Sequence, residues 1–367
     1  MKIKTLGLKN FKAFESVNLN LSNINVLIGE NSSGKTTILQ SLLLLKQTIE
    51  NSPSVGTLAL TGPDYGIDFT FPEMVYGRPG ANAPDVSFNL GFDDFTVSFS
   101  VGAVQKGGIV LKEFKLDDNP YENLSERKFF MPEAFLYSVA GTLFNDFFLR
   151  IGYLGPIRKK AERAYVLRGT SPSWIGTQGE FIADYLDSHN DVKKKVIQWF
   201  TDESGLASAM KFKPIQAKAL MEILLTEPTS GLEINIAQLG FGFSQLLPMI
   251  TGAYVDEVDF LIYEGPEIHL NPRLHGLLTD AIVKASKQGK QILIETHSEH
   301  IIYRLQTLVA QKVISKDDVA IYYMNRPEAL RLELDDEGEI PNWPEGFFEA
   351  DIQDIMQRVA ANYEQKK

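Results

Sequence analysis

Apolar positions change their spacing several times along this chain, and each change predicts a different element. Residues 2–9 and 14–20 read as two strands around the turn Lys9-Asn-Phe-Lys-Ala13. The apolar strand Ile24-Asn-Val-Leu-Ile28 follows, and Thr37 to Leu45 has the apolar content of a buried helix. From about Leu58 to Leu116 apolar and polar residues alternate, as in Val86-Ser-Phe-Asn-Leu-Gly-Phe92 and Phe95-Thr-Val-Ser-Phe-Ser-Val101. Period two with many aromatic and β-branched residues predicts antiparallel strands with one buried face. Within it, the Pro- and Gly-bearing stretch Gly62 to Pro84 reads as an internal loop with its own packing. Between Asp118 and Pro228 the pattern predicts mostly helix, clearest from Glu180 to Phe200. From Glu233 it predicts strand, loop and helix, then the strand Asp259-Phe-Leu-Ile-Tyr263. A helix after Pro272 and the strand Gln291-Ile-Leu-Ile-Glu295 complete the series. Strands separated by helices predict a parallel or mixed sheet with helices on its faces. The fold class is α/β.

Composition narrows the function classes. At 367 residues, 44% hydrophobic and 23% charged, the chain can bury a sizeable core. No apolar run approaches the roughly 20 residues that span a bilayer, and Met1-Lys-Ile-Lys-Thr-Leu6 lacks a signal-peptide pattern. With no cysteine there is neither a disulfide framework nor a thiolate metal site. A cytoplasmic location without membrane partners is the expectation. The net charge of −11 argues against broad binding to a phosphate backbone. One local basic run stands out, with Arg150, Arg158, Lys159, Lys160, Arg163 and Arg168 against Glu162 alone; it reads as a DNA-facing surface or as a solvated loop.

Four short motifs carry candidate chemistry. Gly29, Glu30, Asn31, Ser32, Ser33, Gly34, Lys35 and Thr36 form a complete phosphate-binding loop between a strand and a helix, followed by Thr37. Its glycines let backbone N–H groups curl around phosphates, Lys35 reaches the outer phosphates, and the Thr36 hydroxyl can ligand Mg²⁺. The chain is therefore expected to bind a nucleoside triphosphate. In Phe260-Leu-Ile-Tyr-Glu264-Gly-Pro-Glu267 a buried strand ends in two carboxylates, one able to hold Mg²⁺ and one able to position water. Glu295-Thr-His297-Ser ends the next strand, where a neutral imidazole can sense a γ-phosphate. Leu239-Gly240-Phe-Gly242-Phe-Ser244-Gln245 opens a helix, an anion site that the phosphates held by Lys35 cannot also occupy. That points to the nucleotide of a second subunit. Taken singly, the last three also suit an acidic turn, a surface histidine and a Ser-capped helix start.

Together these residues resemble the ABC-type ATPase fold, in its SMC, RecF and OLD-like branch. The opening Leu8-Lys-Asn-Phe-Lys12-Ala-Phe14 and the phosphate loop look like the start of that branch. Gly240 to Gln245 is similar to its signature motif, Glu264-Gly-Pro-Glu-Ile-His-Leu-Asn-Pro272 to its Walker B and D-loop, and Thr296-His-Ser298 to its switch histidine. More closely, Tyr153-Leu-Gly-Pro-Ile-Arg158, Ile175-Gly-Thr-Gln-Gly-Glu180 and Trp343-Pro-Glu-Gly-Phe-Phe348 resemble small bacterial AAA-family ATPases with a short C-terminal domain of unknown function. Three departures stand out. Glu264 takes the Walker B Asp position and Gly265 that of the catalytic Glu, no Q-loop glutamine can be placed, and Asn271 replaces a second histidine.

The resemblance implies one ABC-type head with a mixed sheet, an antiparallel β region and a helical insertion. Its expected parts are an N-terminal lobe (1–57), the antiparallel region (58–117), the helical insertion (118–230), a lobe with signature, Walker B and switch histidine (231–325) and a tail (326–367). Two heads would sandwich two ATP·Mg²⁺, in a homodimer or a larger assembly, each site joining Lys35 of one chain to Ser244 of the other. Thr36 and Glu264 would hold Mg²⁺, Glu267 would orient water and His297 would read the γ-phosphate. Gly242, Ser244 and Gln245 would meet the partner's nucleotide, and Lys12 would add a phosphate or base-side contact. The implied role is a regulatory ATPase, slow at hydrolysis if Gly265 has no substitute, that controls an effector protein in phage defence or a toxin–antitoxin setting. The alternative is a RecF-like clamp on duplex DNA.

Overall fold

A computed structural model describes residues 1–51, 58–79, 83–103, 108–122, 124 and 130–344. The chain opens with β1 (Ile3–Phe11) and β2 (Phe14–Asn20), an antiparallel pair, followed by β3 (Ile24–Ile28) and helix α1 (Lys35–Glu50). After the short helix α2 (Phe71–Met74) come β4 (Val86–Phe92), β5 (Thr96–Ala103), β6 (Ile109–Leu116) and β7 (Asn119–Pro120). These strands join β1 and β2 in a six-stranded antiparallel sheet of order β2-β1-β4-β5-β6-β7. As the alternation predicts, its buried positions fall on one face: Val86, Phe88 and Leu90 pair across with Val101, Phe99 and Val97.

Helices α3 (Glu133–Leu136) and α4 (Val139–Leu149) lead into β8 (Ile151–Leu154) and the short β9 (Tyr165–Val166). Helices α5 (Ile182–Ser188) and α6 (Asn190–Gln198) precede the hairpin of β10 (Ala209–Ile215) and β11 (Leu220–Thr226), which β12 (Glu233–Asn235) and β9 extend. The mostly helical expectation for 118–228 thus needs correction: helices fill 139–149 and 182–198, but β8 to β11 also lie in this stretch. The four residues of β8 are too few to show a period. In β10 the alternation Met210-Lys-Phe-Lys213 is cut by Pro214, and in β11 the unbroken apolar run of Ile223, Leu224 and Leu225 hides the strand's two faces.

The remaining elements are α7 (Phe241–Tyr254), β13 (Phe260–Glu264), α8 (Pro272–Lys287), β14 (Gln291–Glu295), α9 (Glu299–Ala310), β15 (Val319–Asn325) and β16 (Glu328–Leu332). They complete a second six-stranded sheet, of order β16-β15-β3-β14-β13-β8, parallel except at β16. Successive residues of its strands enter different cores: Leu27, Ile262, Leu293 and Tyr322 face one, while Val26, Leu261, Ile292 and Ile321 face the other. The first core is shared with α1, α4 and the antiparallel sheet; the second with α5 to α9. Each fully buried aliphatic side chain contributes about 1.5–3 kcal/mol relative to exposure, so both faces pin the register of this sheet. That register aligns the C-terminal ends of β3, β13 and β14, where the candidate chemistry gathers.

Candidate functional site

The loop after β3 turns sharply into α1. Ser32 (φ 64°) and Gly34 (φ 105°) are left-handed, and a Cβ on Gly34 would lie 2.5 Å from the Phe14 ring, so only glycine fits that close approach. The first turn of α1 therefore directs its unpaired N–H groups into a cavity of about 170 Å³, lined by residues 31–37 with Glu295, His297 and Arg326. Lys35 is buried, and its Nζ donates to the carbonyls of Gly29 (2.9 Å) and Glu30 (2.7 Å). Burial lowers its pKa, against the attraction of Glu295 and Glu267.

Three carboxylates approach this loop. Glu264 and Glu295 end adjacent parallel strands in register. Tyr153 OH donates to Glu264 (2.6 Å), and Thr36 Oγ1 donates to Glu295 Oε1 (2.9 Å). Burial, then the Glu264 carboxylate, pushes Glu295 up to about 7; burial also raises Glu264. Glu267 is engaged elsewhere, its oxygens accepting from Thr296 Oγ1 (2.7 Å) and the His297 N–H (2.8 Å). Partial burial and the Lys35 ammonium hold His297 below its ordinary value, so its imidazole is neutral at pH 7.

The donor set fits a phosphate-bound Mg²⁺. Two buried polar atoms, Ser33 Oγ in the loop and Glu295 Oε2 beside it, make no hydrogen bond. The Thr36 hydroxyl and the paired Glu264 and Glu295 carboxylates are hard oxygen donors, and a cation would relieve their mutual repulsion. Among the described residues no group of three or more His, Asp or Glu side chains forms a metal cage. Mg²⁺ fits such a site, because it is usually held by one or two carboxylates together with substrate phosphates.

The other expected contacts lie apart from this cavity. Lys12 lines a neighbouring cavity of about 540 Å³ with Tyr76, Arg78 and Arg326; its Nζ donates to Gln40 (2.6 Å), and burial lowers its pKa. Gly242, Ser244 and Gln245 sit at another corner, where α7 begins against the loop before α8. Ser244 Oγ donates to the Phe241 carbonyl (2.7 Å), and Gln245 is fully buried. Gly242, Ser244 and Gln245 are not among the described residues that line the phosphate-loop cavity.

Four positions acquire new meaning. Gly265 is left-handed (φ 54°), and a Cβ there would lie 2.6 Å from the tip of the Ile268 side chain, so a glutamate here would be strained. Asn271 caps α8, accepting from the Leu274 N–H (3.1 Å). Glu295 and Arg326 line the loop cavity although the motif reading assigned them no role. Asking which strands end in a carboxylate would have found Glu295; Arg326 lies at the far end of the chain from the loop and leaves no local signal. The Phe347–Phe348 pair lies outside the described residues.

The sequence matches the family described as "AAA ATPase domain" over residues 1–132 and 177–302, more than half of the chain. The chain belongs to that family. Residues 314–357 of this AAA ATPase match a second family, described as "Protein of unknown function (DUF3696)". Curated relatives match only briefly. The DNA replication and repair protein RecF of Staphylococcus haemolyticus is 48% identical over 46 residues, 12% of this chain and 12% of RecF. Endonuclease GajA of Bacillus cereus is 49% identical over 45 residues, 12% of this chain and 8% of GajA. Solved SMC heads match throughout. The SMC head domain from Thermotoga maritima has a TM-score of 0.50 at 13% identity, covering 91% of this chain and 100% of that one. An SMC head bound to the C-winged helix domain of ScpA has a TM-score of 0.54 at 13% identity, covering 91% and 98%. At such identity the likeness shows the fold: this AAA ATPase has the SMC-type head, with its mixed sheet and antiparallel region. Among the described residues no helix is long and apolar enough to cross a membrane.

Proposed function

We propose that this AAA ATPase binds ATP·Mg²⁺ in the phosphate-loop cavity and closes into a dimer around it, and that the closed and open states control a partner effector protein. One observation carries the reading: the phosphate loop lines a cavity without the signature corner, so each chain holds two halves of different sites. A second chain placed head to tail supplies the missing half to each.

In this reading Lys35 and the loop N–H groups neutralise the phosphates, and Mg²⁺ supplies charge stabilisation between them and Thr36, Glu264 and Glu295. Glu267 fixes the switch segment through Thr296 and His297, which directs the neutral His297 ring to the cavity. Glu295 then suits the water-orienting role first expected of Glu267, since it lines the cavity and its Oε2 has no hydrogen-bond partner. Arg326 lines both this cavity and the neighbouring one that holds Lys12, which is the side available to the rest of the nucleotide.

The DNA-clamp alternative has the RecF match in its favour, but four of the six cations in the basic run are paired or buried within the chain. Arg150 is bidentate to Asp259, Lys159 pairs with Glu162, Arg168 pairs with Asp184, and Arg158 is buried. A setting in phage defence or a toxin–antitoxin pair follows from the resemblance to small bacterial ATPases. Light scattering with a non-hydrolysed ATP analogue and Mg²⁺ tests the central claim. A doubling of mass that requires both supports it, and a monomer at saturating nucleotide overturns it.

A further inference from the structure

Arg158 lies between residues 132 and 177, the stretch that the AAA ATPase domain match leaves out. It is 4% exposed, and its guanidinium bonds to three separate segments. Nε donates to Gln245 Oε1 (3.0 Å) in the first turns of α7. Nη1 donates to the carbonyls of Gly155 and Gly265 (both 3.3 Å), and Nη2 to that of Ile268 (3.1 Å). All four acceptors are uncharged, and burial pushes the group down to about 10. A cation buried on neutral acceptors is a poor source of stability, because desolvation offsets most of the attraction. The planar five-donor fork is, however, well suited to fixing several segments at once.

Those segments are the two halves of the composite site. Gln245 belongs to the corner that would meet the partner's nucleotide. Gly265 and Ile268 frame Glu267, which bonds to Thr296 and His297 at the cavity of the same chain. The outer side of this corner is apolar and exposed: Ile157 is 77% exposed, and Phe241 packs edge-on against His269. A contact made there by another chain would press on the elements that Arg158 joins.

We infer that Arg158 is the positioning residue that couples the signature corner to the carboxylate loop, so that docking of a second chain at one sets the catalytic groups at the other. This rests on the dimer reading above. Lysine keeps the charge but has no fork, and methionine keeps only the length.

The test compares Arg158→Lys, Arg158→Met, Gln245→Met and the double variant Arg158→Met/Gln245→Met. It measures thermal midpoint, nucleotide affinity, ATP-dependent dimerisation and turnover. Coupling predicts, for the two Arg158 single variants, nucleotide affinity within about twofold of the parent and kcat lowered about 10-fold or more with KM little changed. It also predicts a smaller loss for lysine than for methionine, and a double variant no slower than the worse single one. Multiplying losses in kcat, or single variants that turn over and dimerise like the parent, would overturn it. If Arg158→Met does not fold, Arg158→Lys decides, since a purely structural role predicts normal kcat in a variant that folds. If the parent itself stays monomeric with ATP, the dimer reading fails and this inference fails with it, whereas a parent that dimerises while the single variants turn over normally overturns this inference alone.

Discussion

The phosphate loop and the signature corner are both glycine-bearing turns that open a helix, yet they end differently. Before α1, Gly34 is left-handed, and the following N–H groups line a cavity closed by Glu295, His297 and Arg326 of the same chain. Before α7, Gly240 has an extended backbone (φ −53°, ψ 149°), Ser244 turns back onto Phe241, and Phe241 is 41% exposed. A helix N-terminus becomes an anion site only where other segments converge on it. At the first turn the fold supplies them; at the second, in our reading, a second subunit does.

The largest expected effect tests the complete half. Lys35→Ala should weaken ATP binding by about 100-fold or more, read by calorimetry, because it removes a desolvated charge from the phosphates. Retained affinity would place the nucleotide elsewhere.

Glu295 sharpens the same half through pH. Its carboxyl titrates near 4.5 when unfolded and at about 7 when folded, so the native protein binds the extra proton between these values. Stability of nucleotide-free protein should therefore fall as pH rises from about 4.5 to 7 and level off above, by up to about 3 kcal/mol. Melting curves across that window should show the fall, and Glu295→Gln should flatten it. A parent profile that rises instead would contradict this burial of the carboxyl pair.

The incomplete half has a subtler test. Ser244 is buried at the helix start, so Ser244→Arg would disturb the fold as well as the interface. Phe241→Glu is the cleaner probe. It should leave ATP binding unchanged and weaken ATP-dependent dimerisation about 10-fold, measured by sedimentation. The smallest effect is expected from the double change Lys160→Glu/Arg163→Glu. Turnover with duplex DNA should stay within about twofold of the parent, and a steep loss of DNA-stimulated turnover would restore the clamp reading.

Legibility followed distance along the chain. The strands 24–28, 260–264 and 291–295 could be read because short apolar runs are bounded by polar turns, and Glu264, Glu267 and His297 stand at or just past their ends. β8 could not be read, because four residues show no period, and its place beside β13 depends on packing against a strand far along the chain. Arg158 looked like one cation in an exposed run, since nothing nearby in sequence announces acceptors at Gln245, Gly265 and Ile268.

By itself the sequence determined the turn at Gly34, the helix it opens and the lysine and threonine that follow, because backbone dihedrals there are set within the motif itself. Tertiary structure alone decided that Glu295 stands beside Glu264, that Arg326 borders the loop and that Arg158 is buried. The reason is physical: strand order and register bring those groups together, and both are fixed by two apolar cores assembled from the whole chain.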